Sequence, residues 1–209
     1  MYTLYFVPDA CSLATQVVLR ELGQNVELIH KQQVADFSQV NPVGVVPVLH
    51  DRDQPEGAQL LREGAAIMLH ILEKHQSHLL PAAGSERQQA IRNIMFANAS
   101  MHPAYSRLFF AAANMADDDT RRAFFAAATN SINALWRVVE QQLQQQPFLG
   151  GNQVSAADIM LTVYSRWGAA FPVDIVIGEK TRAMISNVMA MDSFRAALAA
   201  EQDAQQQLQ

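Results

Sequence analysis

The chain of 209 residues carries 15 lysines and arginines against 20 aspartates and glutamates, a formal charge of −5, with half its residues hydrophobic and 17% charged. That composition predicts a packed globular chain, excludes global disorder and, with no basic stripe, speaks against a nucleic-acid partner. A single cysteine allows no internal disulfide, and no apolar run approaches the ~18 residues of a membrane span. MYTLYFV lacks the basic flank and apolar core of a signal peptide, so a cytoplasmic protein without membrane contact is expected.

In chain order, Thr3 to Val7 (TLYFV) is a β-branched and aromatic run closed by Pro8, which predicts a buried strand. Ala14, Val17, Val18 and Leu22 follow at helical spacing, and Gly23 supplies a stop. Val26 to His30 alternates as a second strand. Strand, helix and strand within ~30 residues make a βαβ unit with parallel neighbours. A turn at Asn41-Pro42 and Gly44 leads into a short strand with Pro47 near its start, and across DRDQPEG the run Ala58 to Leu61 is its candidate partner. Glu63-Gly64 opens a helix in which Ile67, Leu69, Ile71 and Leu72 are candidates for burial.

QSHLLPAAGSER then reads as a linker, and beyond it no strand is predicted. Apolar periodicity predicts two long helices, over about 85–116 and about 120–145. Ser155-Ala-Ala-Asp158, ahead of Ile159, Val163 and Trp167, has the spacing of a capping box. The glutamine-rich stretches QQLQQQP and AEQDAQQQLQ read as a solvated helix end and a frayed terminus. The chain thus divides into a small α/β domain over 1–78 and an all-helical domain over 85–209.

Four places carry possible chemistry. Cys11 stands where the first helix begins, and amides and macrodipole there favour a thiolate. Cysteine is also among the most readily buried residues, so a reactive thiol and an inert apolar residue stand as equal readings of position alone. Proline early in a strand belongs at an edge. A cis Val46-Pro47 bond would free the Val46 backbone to pair with an extended peptide, but only about 5–6% of such bonds are cis, so local sequence favours trans. Glu63-Gly64 pairs a carboxylate with helix-start amides, which suits the two ends of an amino-acid zwitterion, though ordinary capping is commoner. His102, next to Pro103 within a long helix, stands at an expected kink and is a candidate donor or general base, a packing histidine being the bland alternative. His70, His75 and His78 show no metal spacing, and no metal site is expected.

Together PDACSLA, VNPVGVVPVL, REGAAIMLHIL, MHPAYSRLF and SAAD occur in the order and spacing of one family. The chain resembles the glutathione transferases, the bacterial beta class in particular, over nearly its whole length. The resemblance implies a thioredoxin-like α/β N-terminal domain with Pro47 cis, an all-α C-terminal domain, a role in detoxification and a homodimer. It implies that Cys11 lies against the glutathione sulfur and that Val46 pairs with the cysteinyl residue. Glu63 and Gly64 would hold the γ-glutamyl end, Lys31 is the candidate for the glycyl carboxylate, and His102 would lie near the sulfur. Ser155 and Asp158 would be structural.

Asp9 stands where that class usually has glycine, and its charge is expected to disfavour a thiolate at Cys11. Pro103 replaces a frequent lysine, Met95 takes a position expected to be polar, and Arg62 adds charge beside Glu63. The leading function is conjugation of glutathione, as substrate, to small hydrophobic electrophiles, with Phe109, Phe110 and Trp167 as apolar candidates for the second substrate. The alternatives are thiol–disulfide exchange through Cys11, which a second glutathione would have to resolve, and glutathione or ligand binding with little catalysis.

Overall fold

The computed structural model describes residues 1–206 and 208. The chain opens with β1 (Tyr2–Phe6), α1 (Ser12–Glu21) and β2 (Val26–His30), and β1 pairs parallel with β2 in the register Tyr2↔Val26 to Phe6↔His30. The helix between them supplies the crossover that a parallel pair requires. β3 (Val48–Asp51) runs antiparallel to β1, and β4 (Leu60–Arg62) antiparallel to β3, giving the sheet order β2-β1-β3-β4. Pro47 immediately precedes β3, where its missing N–H removes no ladder bond. The Val46–Pro47 peptide is cis, as the resemblance implied and local sequence did not.

α2 (Gly64–Lys74) follows β4 and packs on β3, β4 and α1. Leu4, Phe6, Leu13, Val17, Leu49, Ile67 and Ile71 are fully buried and form the core of this region.

The helical region contains α3 (Gly84–Phe96), α4 (His102–Asn114), α5 (Asp119–Gln142), α6 (Ala156–Ser165) and α7 (Glu179–Met189). α3 and α4 are the expected long helix, interrupted by a π turn over Ala97–Met101 in which the His102 N–H donates to the Ala97 carbonyl, five residues back. Pro103 has no N–H to donate and crowds the preceding turn, and a widened turn just ahead of it accommodates both. Asp118 caps α5, accepting from the amides of Thr120 and Arg121 at 2.9 and 3.1 Å. At the centre Trp136 Nε1 donates to the Tyr105 hydroxyl at 2.9 Å, so two large aromatics are buried without an orphaned polar atom between them.

Contacts divide the chain into two units: Met1–Ala82 together with the segment from Met189 onward, and Ala83–Val188. The second member of the first unit is α8 (Asp192–Gln206), which packs on α1 and β2. The stretch expected to be a frayed terminus is therefore helical through Gln206; Gln207 and Gln209 lie outside the described residues. Phe194, Ala197 and Glu201 are buried at helical spacing, which is the stripe by which α8 is held. The expected domains 1–78 and 85–209 grouped this segment with the other helices. Among the described residues no helix is long and apolar enough to cross a membrane.

Candidate active site

Cys11 holds the N-cap position of α1 without a side-chain cap bond. The turn before it is closed by the Ala10 amide donating to Val7 O at 3.2 Å, and the Ser12 hydroxyl donates to the same carbonyl at 3.3 Å. Asp9 lies in the left-handed region at φ 57. A residue without Cβ adopts that conformation at least cost, and aspartate is one of the few others that tolerate it. Aspartate is thereby admissible at this position.

The Cys11 thiol donates to the Val46 carbonyl at 3.5 Å, bringing together two of the expected site residues beside Pro47. Burial pushes the Cys11 thiol up to about 11, and the amides of Cys11 and Ser12 offset only part of that rise. The expected helix-terminus effect is present but loses to desolvation. Nor is Asp9 the source of the upward push: its side chain is exposed, and burial is the cause.

Lys31 lies in a 3-10 turn, Lys31–Gln33, that begins at the end of β2. His30 accepts from the Gln32 amide at 3.2 Å, and Gln33 Oε1 accepts from the His30 amide at 2.7 Å, a reciprocal cap that sets the direction of the turn. Lys31 Nζ donates to Gly44 O and lies 5.4 Å from the centre of the Phe37 ring. Asn41, itself buried, shapes the loop that ends at Pro47: its amide donates to Val45 O at 2.8 Å, and its oxygen accepts from the Val43 amide at 3.2 Å.

Glu63, at φ 69, precedes α2 with its side chain exposed and without a side-chain cap bond, while Gly64 begins the helix. Arg62 donates through Nε and Nη2 to Val40 O at 3.0 and 2.8 Å, tying β4 to the same loop. Arg62 thus has a structural partner here, apart from any effect on charge next to Glu63.

His102 belongs to the helical unit. Its ring meets Tyr164 and Trp167 edge-on, with centroids 5.4 and 5.2 Å away, and Nδ1 lies 3.2 Å from the Ser106 hydroxyl. Burial lowers its pKa, so the imidazole is neutral at pH 7. Phe109 and Phe110 on α4 are 45% and 62% exposed, whereas Trp167 is buried. Phe109 meets Phe171 edge-on at 4.8 Å. Met95 is partly exposed.

The Ser155–Asp158 box forms as its spacing predicted. Ser155 Oγ accepts from the Asp158 amide at 3.4 Å and donates to the Asp158 carboxylate at 2.6 Å, and that carboxylate also accepts from the amides of Ser155 and Leu149 at 2.8 and 2.9 Å. Among the described residues no group of three or more histidine, cysteine, aspartate or glutamate side chains is arranged to hold a metal.

Three side chains outside the sequence-based candidates make long-range bonds within the unit that carries Cys11, Glu201 beside the Cys11 turn and the other two at the opposite end of β1, where Asp51 pairs with Tyr2. Glu201 of α8 accepts the Asp9 amide at 2.9 Å, two residues ahead of Cys11. His70 and Lys74, on the face of α2 toward β3, bond the fully buried Asp51 at 2.7 and 2.8 Å. The i,i+4 spacing of His70 and Lys74 was visible in the sequence, but their common partner was not.

No family model matches the chain. It is 31% identical over 212 residues to glutathione S-transferase GST-4.5 of Xanthomonas campestris pv. campestris, spanning 99% of this chain and 97% of that protein. The chain belongs to the glutathione S-transferase family. Glutathione S-transferase GstA of Escherichia coli O157:H7 is 26% identical over 95% of this chain and 98% of its own length. Among solved structures, BphK, a bacterial glutathione transferase in a ternary complex, superposes with a TM-score of 0.81 at 33% identity, covering 95% of this chain and 98% of its own. A sphingomonad glutathione S-transferase complexed with glutathione gives 0.80 at 30% identity with the same coverage. The four-stranded mixed sheet followed by helices is the glutathione S-transferase fold.

Proposed function

We propose that this glutathione S-transferase binds glutathione on the unit carrying Cys11, Val46, Pro47, Glu63, Gly64 and Lys31, and conjugates it to small hydrophobic electrophiles in the cytoplasm as a homodimer. The observation that carries the reading is the Cys11 thiol aimed at the Val46 carbonyl, in a chain similar to glutathione S-transferases over nearly its full length.

With its thiol pushed up to about 11, Cys11 is protonated at pH 7. A protonated thiol is a poor nucleophile but a usable donor. Turned from Val46 O toward bound glutathione, the S–H stabilises the glutathione thiolate, which carries the reactive electron pair. That thiolate attacks the electrophilic carbon, a C–S bond forms, the leaving group departs with its bonding pair, and the thiol proton has gone to solvent. Glu63 and the amides at Gly64 suit the γ-glutamyl ammonium and carboxylate, and Lys31 suits the glycyl carboxylate. His102, which belongs to the helical unit, is a further catalytic candidate and carries a neutral imidazole. The exposed Phe109 and Phe110 suit an apolar second substrate.

Exchange through Cys11 requires its thiolate, which the burial of the group opposes. The test is retention on immobilised glutathione together with conjugation of an aryl halide by wild type and Cys11→Ser. Retention and a conjugate, with activity surviving in Cys11→Ser, support the proposal. A protein that neither binds glutathione nor forms the conjugate overturns it. Activity abolished in Cys11→Ser with binding intact returns Cys11 to the role of nucleophile.

A further inference from the structure

Ser106 lies one turn after His102 on α4, and its hydroxyl meets that residue twice. Oγ donates to the His102 carbonyl at 3.0 Å and lies 3.2 Å from Nδ1 of the same residue's ring. A serine hydroxyl has one proton to give. With that proton on the carbonyl, the contact to the ring is a bond only if Nδ1 carries a hydrogen and Oγ accepts it. The opposite assignment, with the hydroxyl proton on Nδ1, leaves two oxygens facing each other at 3.0 Å with no proton between them. Both bonds form in one neutral tautomer alone, that with the proton on Nδ1.

The other ring nitrogen is left open. Nε2 has no hydrogen-bond partner among the described residues, and it is not among the buried polar side-chain atoms that lack one, so it reaches solvent. Tyr164 and Trp167 meet the ring edge-on at 5.4 and 5.2 Å and restrict its rotation. Helix stability does not call for serine at position 106. Alanine is the better helix former, and a hydroxyl bonded four residues back slightly weakens a helix.

We propose that Ser106 is a positioning residue for His102: it holds the imidazole as the Nδ1–H tautomer and so leaves Nε2 as a proton acceptor. His102 then serves as a base and not as a donor to the glutathione thiolate. The Nε2 lone pair takes the proton of the glutathione thiol, and the S–H bonding pair stays on sulfur as the thiolate. The imidazolium, still bonded through Nδ1–H to Ser106, returns the proton to solvent. The catalytic part of this role rests on the glutathione reading proposed above, but the tautomer does not.

Nitrogen nuclear magnetic resonance of the isotopically labelled full-length protein at pH 8, where the ring is neutral, reads the tautomer without glutathione or turnover. In the wild type, Nδ1 should show the shift of a protonated ring nitrogen and Nε2 that of an unprotonated one. Ser106→Ala should move the tautomer ratio about fivefold toward Nε2–H, the factor that one hydrogen bond's net worth corresponds to. It should lower kcat for conjugation by about the same factor, with little change in KM for glutathione and no loss of melting temperature. Ser106→Thr keeps the hydroxyl and should restore both the nitrogen shifts and kcat. Ser131→Ala removes a bond of the same kind, to the Ala127 carbonyl on α5, and serves as the control that moves neither.

An Nε2–H ring in the wild type, an unchanged tautomer in Ser106→Ala, or the same shift in Ser131→Ala overturns the proposal. A changed tautomer with kcat unmoved overturns its catalytic part. A lower melting temperature in Ser106→Ala, with kcat not restored by Ser106→Thr, makes the serine a packing residue and overturns it as well. If no conjugation is found at all, the function reading fails while the nitrogen shifts still decide whether Ser106 sets the His102 tautomer.

Discussion

Cys11 and Val46, 35 residues apart, share one hydrogen bond in which the thiol donates to the carbonyl at 3.5 Å. Donation requires the proton, so this contact and burial act in the same direction: both favour the neutral thiol. With Cys11 pushed up to about 11, its alkylation rate in the absence of glutathione should rise about tenfold per pH unit from pH 7 to pH 10, because the thiolate fraction does. Intact-mass kinetics with iodoacetamide measures this. A rate that levels off by pH 8 would show an acidic cysteine and remove the argument for a donor role.

Asp51 gives an acid-stability prediction. Burial alone would raise its pKa, but bonds from Lys74 and His70 outweigh that and hold it at about 2. A depressed carboxylate stabilises the fold fully above its ordinary value of 3.8, and this contribution is lost as pH falls from there through about 2. Its size is roughly 2 kcal/mol. Lys74→Met should cost about 3 kcal/mol at pH 7, because it leaves a buried carboxylate short of its cation. Urea unfolding against pH is the measurement: the gap between wild type and variant should narrow below pH 4, and a constant gap contradicts the linkage.

For His102 the expectation is a neutral ring. Its pKa is lowered by burial from 6.5, so its nuclear magnetic resonance titration should have its midpoint below that value. No limb of the activity profile above pH 7 should belong to it. On the catalytic role proposed for His102, His102→Asn should reduce kcat/KM by roughly tenfold. An unchanged kcat/KM would make His102 a packing residue of the Tyr164–Trp167 cluster.

Gly178 and Glu140 give a stability test within the helical unit. A Cβ at Gly178 would lie 2.2 Å from the Glu140 carboxyl carbon. That carboxylate accepts from the amides of Lys180 and Thr181 at 3.0 and 2.8 Å and from the Thr181 hydroxyl at 2.7 Å, fixing the start of α7. Gly178→Ala should therefore displace Glu140 and cost about 1–3 kcal/mol. In a Glu140→Ala background the same change should cost much less, which a double-mutant cycle by thermal unfolding reads directly. Additive losses would rule out the contact as the cause.

Elements specified by neighbouring residues were legible in the sequence. β1 and β2 follow from short apolar runs, and β2 spans Val26–His30 as read. The Ser155–Asp158 box forms because donor and acceptor lie three residues apart and need no distant partner. The cis peptide at Pro47 was legible only through resemblance, since nothing local distinguishes it from a trans edge proline. The pairing of His70 and Lys74 on Asp51, and of Glu201 on Asp9, depends on how helices return to the sheet.

The state of Cys11 belongs to the same class. By itself the sequence determined where the thiol lies along the chain, at the first turn of α1, and so the amides that favour its anion. Only the tertiary structure decided that these amides lose. Desolvation sums over side chains drawn from every element packed around the sulfur, and residues 46 and 201 come beside the turn of residue 11 only when the chain has folded.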